Sequence, residues 1–177
     1  MILIRRAEPN DAAAIAHVHV QSWRTTYTGI VPDSYLASLD EGERAAHWRD
    51  LLEGGMLVLV AERAGEVLGF ATGGKSRGGL ADCDAELYAI YLLEAEQGTK
   101  IGRDLLHELA RSLSQDGFRS MEVWVLAKNP AKGFYERMGA EYAGSKEIEI
   151  GGATLAEQGY VWADLGALCG AHMLSRS

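Results

Sequence analysis

Proline and cysteine are scarce here, three and two among 177 residues, and each scarcity removes a class of protein. So little proline beside 21 glycines does not describe a low-complexity linker; it points to tight backbone sites within folded structure. Cys83 and Cys169 stand far apart and form no C-x-x-C, so neither a redox motif nor a zinc site is indicated and both read as reduced thiols. Long hydrophobic runs are missing too, since nothing approaches the roughly 18 apolar residues of a membrane span. The first residues, Met1-Ile2-Leu3-Ile4-Arg5-Arg6-Ala7-Glu8, lack the charged-then-apolar order of a secretory leader, and the expected compartment is the cytoplasm. Basic residues fall short of acidic ones, 17 against 25, and a net charge of −8 gives no footprint for duplex nucleic acid or an anionic membrane.

What is present is an ordinary globular composition, 47% hydrophobic and 24% charged, at a length that suits one domain over residues 1–177. Its core is expected to end near residue 163, with a short tail over 164–177. Ile2 to Arg6 reads as a strand, and Pro9-Asn10-Asp11 opens a helix with Ala12, Ile15, Ala16, His19 and Trp23 inward. A short helical piece over Pro32 to Leu39 precedes Asp40-Glu41-Gly42-Glu43, which has capping-box spacing before a helix ended by Gly54-Gly55. Met56 to Arg63 and Glu66 to Thr72 form a hairpin around Ala64-Gly65, a glycine-rich loop is expected over Gly73 to Asp84, and the glycine cluster from Gly69 to Gly79 reads as a mobile connection. Ala85 to Leu93 is apolar enough for a central strand. Ile101, Leu105, Leu109 and Leu113 recur every four residues, marking a strongly amphipathic helix that stops at Gly117. Ser120 to Leu126 is the next strand; Asn129-Pro130 and Gly139 frame a short helix; Ala140 to Ile150 and Ala153 to Ala163 make a final hairpin. The class is α/β with mixed strand directions.

Two motifs offer candidate chemistry. Gly69-Phe70-Ala71-Thr72-Gly73-Gly74-Lys75-Ser76 fits G-x-x-x-x-G-K-[ST], a phosphate loop, but no amphipathic helix follows it and no later strand ends in an obvious magnesium-binding aspartate. Gln97-Gly98-Thr99-Lys100-Ile101-Gly102-Arg103 lies between the central strand and the strongest helix, where free amides and the positive helix end suit a pyrophosphate. It is not a dinucleotide fingerprint, and a plain turn would use the same glycines for geometry alone. His17 and His19, two apart, face away from each other on a helix and make a poor metal pair, so no metal is expected.

With these segments placed, the sequence resembles the GNAT superfamily of acyl-CoA-dependent N-acetyltransferases. Glu86-Leu87-Tyr88-Ala89-Ile90-Tyr91-Leu92-Leu93 followed by Gln97 to Leu106 is similar to the family's fourth strand, its Q/R-x-x-G-x-G/A loop and the next helix. Asn129-Pro130-Ala131-Lys132-Gly133-Phe134-Tyr135-Glu136-Arg137-Met138-Gly139 resembles its N…FYE…G segment. Lys100 departs from the pattern by replacing the first loop glycine. The resemblance implies a mixed, largely antiparallel central sheet flanked by helices, and acetyl-CoA as acyl donor held by Ile90, Tyr91, Leu92, Gln97, Gly98, Thr99, Lys100, Gly102, Arg103, Asn129 and Tyr135.

Roles follow from the resemblance and from what aminolysis of a thioester needs. The arriving amine must lose a proton. Glu86, eleven residues before Gln97, holds the position of the base in the histone-acetylating members that this sequence resembles. The thioester oxygen needs a donor already in place, which in the family is a main-chain N–H of the strand over Ile90 to Leu92. Tyr135 would protonate the departing thiolate. Trp23, Arg24, Tyr27 and Tyr35 cluster where family members build the acceptor pocket. The expected activity is acetyl transfer to a primary amine of a small molecule or peptide by direct attack in a ternary complex, with a homodimer common in such families. Alternatives are a non-catalytic acyl-CoA-binding regulatory domain and a phosphate-loop nucleotide binder.

Overall fold

The computed structural model describes residues 1–80 and 82–173. The last four tail positions, 174–177, lie outside the described residues. Seven strands form one sheet: β1 (Leu3–Arg6), β2 (Val58–Arg63), β3 (Glu66–Lys75), β4 (Ala85–Leu92), β5 (Met121–Leu126), β6 (Glu141–Ile150) and β7 (Ala153–Trp162), in the order β1-β2-β3-β4-β5-β7-β6. Among the described residues six α-helices accompany it: α1 (Ala12–Tyr27), α2 (Asp33–Ser38), α3 (Glu41–Glu53), α4 (Ile101–Gln115), α5 (Lys132–Arg137) and α6 (Leu165–Met173), the last lying in the segment expected to be a tail. The β1/β2, β2/β3, β5/β7 and β6/β7 ladders are antiparallel and β4/β5 is parallel, giving the mixed, largely antiparallel α/β sheet. The chain divides into two compact units, Met1–Thr72 with Ala89–Leu106 and Gly73–Tyr88 with the residues from His107 onward.

In the first unit, Ala12, Ile15, Ala16 and Val18 of α1 are fully buried with Trp48 and Leu52 of α3 and with Val58, Val60, Val67 and Phe70 of β2 and β3. The helix starts are written locally. Asp40 Oδ1 accepts the Glu43 N–H at 2.8 Å to cap α3. Arg5 donates to both carboxylate oxygens of Asp11 at 2.8 Å and, through Nε, to Glu62 at 2.8 Å, tying β1 to the entry of α1 and to β2. That guanidinium holds the Asp11 carboxyl below its ordinary range. The Ala64-Gly65 turn has positive φ at both residues, 52° and 85°, the geometry whose twist matches antiparallel strands.

In the second unit, β5 lies between β4 and β7, and β7 separates β5 from β6. Asp84 braces the entry to β4: its two carboxylate oxygens accept the N–H groups of Arg119 and Ser120, both at 2.9 Å. The expected stripe of α4 is observed, since Ile101, Leu105, Leu109 and Leu113 are all buried.

The glycine-rich segment corrects the sequence reading. β3 runs on through Gly73 and Gly74 to Lys75, so these residues are strand and not a mobile connection. Close approach explains the glycines: a Cβ on Gly73 would meet the Glu86 carbonyl oxygen at 2.7 Å, and one on Gly74 the Tyr88 hydroxyl at 2.9 Å. Gly79 lies so close to the Trp124 indole and the Glu122 carboxylate that a side chain there would collide with both. The same strand removes the phosphate loop, which requires a helix to begin at Lys75-Ser76. The Ser76 hydroxyl donates to the Glu122 carboxylate instead.

Candidate active site

The first unit holds the loop that leads from β4 into α4. Gly98 sits at φ 74°, a left-handed turn with open space where a side chain would stand. Thr99 Oγ1 donates to the Glu96 carbonyl at 2.7 Å and accepts the Ile101 N–H at 3.3 Å, fixing the start of α4. The other first-turn amides, at Gly102 and Arg103, have no partner within the helix. Gln97 Nε2 donates to the Leu92 carbonyl at 3.5 Å. Lys100 is exposed and forms no ion pair among the described residues, whereas Arg103 is held by Asp104 at 2.9 Å. The β4/β5 ladder pairs only Ala85, Glu86 and Leu87 with Met121, Glu122 and Val123, so the half-buried Ile90, Tyr91 and Leu92 lie beyond its register.

Aromatic rings collect in the same unit. Trp23 lies 4.5 Å from Tyr27, 6.0 Å from Tyr35 and 6.4 Å from Tyr91, centroid to centroid. Arg24 is turned to another task, donating to the Leu39 carbonyl at 2.8 Å beyond the end of α2. His17 pairs with Glu41 at 3.1 Å. Among the described residues no group of three or more His, Cys, Asp and Glu side chains could hold a metal ion.

The second unit holds Glu86, Asn129 and Tyr135. Glu86 retains only 5% of its side-chain exposure, and Arg77, 67% exposed, covers it. Arg77 Nη2 donates to Oε1 at 2.7 Å, and Nε and the Arg77 backbone N–H donate to Oε2 at 3.1 Å. The guanidinium carbon also stands 4.5 Å above the Tyr88 ring, whose hydroxyl donates to the Lys75 carbonyl at 2.6 Å. Glu122, the register partner of Glu86, is fully buried and accepts from the Trp124 indole at 3.0 Å. Burial pushes the nearby Glu157 carboxyl above its ordinary range, opposed by the positive charge of Lys146, while Glu86 raises it further. Sequence reasoning missed Arg77 and Glu122; a carboxylate inside the apolar Ser120–Leu126 stretch was the signal for the second.

Asn129 Oδ1 accepts the Ala131 N–H at 2.9 Å, so the asparagine caps its turn as expected, although regular helix begins only at Lys132. Tyr135 is buried, edge-on to Trp162 at 5.9 Å. The turn closing α5 carries Gly139 at φ 89°, with the Ala140 N–H returning to the Tyr135 carbonyl at 3.0 Å. Both cysteines are half-buried and free, and burial pushes each thiol up, away from a nucleophilic thiolate. Among the described residues no helix is long and apolar enough to cross a membrane.

A seven-stranded mixed sheet with a capped loop leading from its fourth strand into an amphipathic helix is the arrangement of an N-acyltransferase class of enzyme. The model of the acetyltransferase (GNAT) family matches residues 18–140, and the chain belongs to that family. It is 44% identical over 168 residues to the uncharacterised N-acetyltransferase YuaI of Bacillus subtilis (strain 168), covering 95% of this chain and 96% of that one. Among solved structures it is similar to the ribosomal-protein-alanine N-acetyltransferase of Brucella melitensis, at TM-score 0.71 and 25% identity over 91% of this chain and 99% of that one. It shares its fold with YncA of Salmonella typhimurium, solved with its cofactor acetyl-CoA, at TM-score 0.71 and 22% identity over 92% and 94% of the two chains.

Proposed function

We propose that the enzyme transfers acetyl from acetyl-CoA to a primary amine of a small molecule or peptide by direct attack in a ternary complex. The observation that carries this reading is the start of α4. Gly98 and Thr99 shape the start of a helix whose geometry gives the amides of Gly102 and Arg103 no intrahelical partner, directly after a strand whose β5 pairing stops at Leu87. Partial positive charge at a helix start suits the pyrophosphate, with Lys100 and Arg103 adding cationic donors. The backbone of Ile90, Tyr91 and Leu92 suits the amide-bearing pantetheine arm and the thioester oxygen. Asn129 contributes to holding the cofactor as well as capping its turn.

In the reaction the arriving ammonium loses one proton before attack, its nitrogen bonds to the thioester carbon as the C–S bond breaks, the N-protonated amide sheds a second proton to water, and the departing sulfur gains one. Glu86 takes the amine proton, directly or through water. Arg77 supplies three donors to this carboxylate, but a carboxylate offers about four lone-pair sites, which leaves one for the amine or a water. Tyr135 gives its hydroxyl proton to the departing thiolate. No acyl-enzyme is needed, in keeping with two thiols whose ionisation burial opposes. Trp23, Tyr27 and Tyr35 face the acceptor.

A thiol-release assay with acetyl-CoA over a panel of amines tests this. Turnover that depends on an amine supports it; calorimetric binding of CoA without turnover of any amine overturns it in favour of a binding module.

A further inference from the structure

His19 lies at the middle of the aromatic cluster, and its hydrogen bonding fixes what it can offer. Its ring stacks on Tyr91 at 5.3 Å and 19°, with Trp48, Phe70 and Trp23 at 5.8, 6.0 and 6.2 Å. Trp48 Nε1 donates to His19 Nδ1 at 3.1 Å. An indole N–H can only donate, so Nδ1 is the unprotonated nitrogen and the ring hydrogen resides on Nε2. Burial, reinforced by the positive charges of Arg44 and His47, lowers the imidazole to about 4, so the ring stays neutral in this tautomer through the working pH range. His19 is therefore a fixed N–H donor on a half-buried aromatic face.

Two further donors stand with it. The Trp23 indole N–H is buried and makes no hydrogen bond of normal distance and angle among the described residues, leaning on the Tyr91 hydroxyl as a weak donor. Arg44 is half-buried, its charge reaches both His19 and Tyr91, and its guanidinium has no hydrogen bond or ion pair among the described residues. The charges that lower the His19 ring, those of Arg44 and His47, are cationic. An ammonium ion would find aromatic faces and tyrosine hydroxyls here, but the Arg44 guanidinium would repel it, and the N–H donors of His19 and Trp23 have no lone pair to give it. A carboxylate meets the opposite conditions.

We propose that this face binds the carboxylate end of the acceptor, through the N–H donors of His19, Trp23 and Arg44, with an apolar body against Trp23, Tyr27 and Tyr35; the acceptor is then an apolar amino carboxylate. The proposal rests on the acetyl-transfer reading and narrows its substrate class.

The test compares L-phenylalanine and L-leucine with their decarboxylated amines, phenethylamine and isopentylamine, and with spermidine, by thiol release. A charge-assisted hydrogen bond contributes enough to favour each amino acid over its decarboxylated partner by about tenfold or more in kcat/KM. Arg44→Gln and Trp23→Phe should each shrink that ratio by raising KM for the amino acid. In parallel, the histidine 15N spectrum of the CoA-loaded enzyme should show His19 as the Nε2–H tautomer from pH 5 to 8, shifted by L-phenylalanine and not by spermidine. A ratio of one or less, or preferred use of spermidine, overturns the proposal while leaving acetyl transfer intact. Absence of turnover with all five amines counts against the acetyl-transfer reading, and the 15N response then decides this proposal alone: a shift with L-phenylalanine supports it, and no shift refutes it.

Discussion

Replacing Gly73 by alanine would decide whether the glycine-rich stretch is packed strand or loose connection, because the two descriptions predict opposite signs. The added Cβ would stand 2.7 Å from the carbonyl oxygen of Glu86, 3.2 Å from Leu109 Cδ2 and 3.6 Å from Leu113 Cδ1. The first of these is backbone and cannot rotate aside, so β3 and β4 would have to separate. Overpacking of this kind costs about 1–3 kcal/mol. In a mobile loop the same change would stabilise by about 0.4–1 kcal/mol, by reducing the freedom of the unfolded chain. With a urea slope of about 2 kcal/mol/M, the packed strand predicts a midpoint lowered by about 0.5–1.5 M. Gly170→Ala is the internal control, since that glycine is helical and exposed with nothing within 4 Å of the new Cβ, and its midpoint should rise. A midpoint for Gly73→Ala that is unchanged or raised, beside a raised one for Gly170→Ala, would refute the packed description.

Four other outcomes follow from the same geometry. Arg77→Gln should lower unfolding free energy by about 1 kcal/mol, between exposed and buried ion pairs, and Arg77→Lys should not restore it because an ammonium lacks the fork; a cycle with Glu86→Gln that shows no coupling would exclude the pair. Tyr135→Phe should reduce kcat far more than it alters acetyl-CoA binding, and an unchanged kcat removes the tyrosine from the chemistry. Lys100→Gly should change acetyl-CoA affinity by less than about tenfold, the scale of one exposed charge, with calorimetry as the measure. His19 releases its proton near pH 4 when folded and near 6.5 when unfolded, so the unfolded state binds more protons between those values and stability falls as pH drops through that window; His19→Gln should flatten the dependence of the urea midpoint on pH there.

Much of the fold is legible because it is local. The four-residue recurrence of Ile101, Leu105, Leu109 and Leu113, the Asp40 cap and the two-residue turns at Ala64-Gly65 and Gly151-Gly152 each fix their element without reference to distant chain. The end of β3 was hidden for an equally physical reason. Hydropathy patterns register side chains, and Gly73 and Gly74 have none; their burial depends on the Glu86 carbonyl and Tyr88, which no window of neighbouring residues contains. A glycine that turns the chain declares itself by its place between elements, whereas one that permits close approach resembles a loop residue until its neighbour is known.

The same division runs through the candidate site. Trp23 and Tyr27, four apart on one helix, and Tyr35 shortly after could be grouped from spacing, and the structure brings these rings together. Their chemistry could not be read that way, because the protonation of His19 is set by Trp48, which arrives from α3. Glu86 presents the mirror case: its place in the strand is visible in the sequence, but the Arg77 that covers it comes from the stretch taken for a loose connection. The stretch read as a loose connection thus shapes the carboxylate proposed above as the base. Its tight packing serves a definite end, since Gly73 lies against the Glu86 backbone while Arg77, four residues on, grips the Glu86 side chain, and strand and carboxylate are held by one segment.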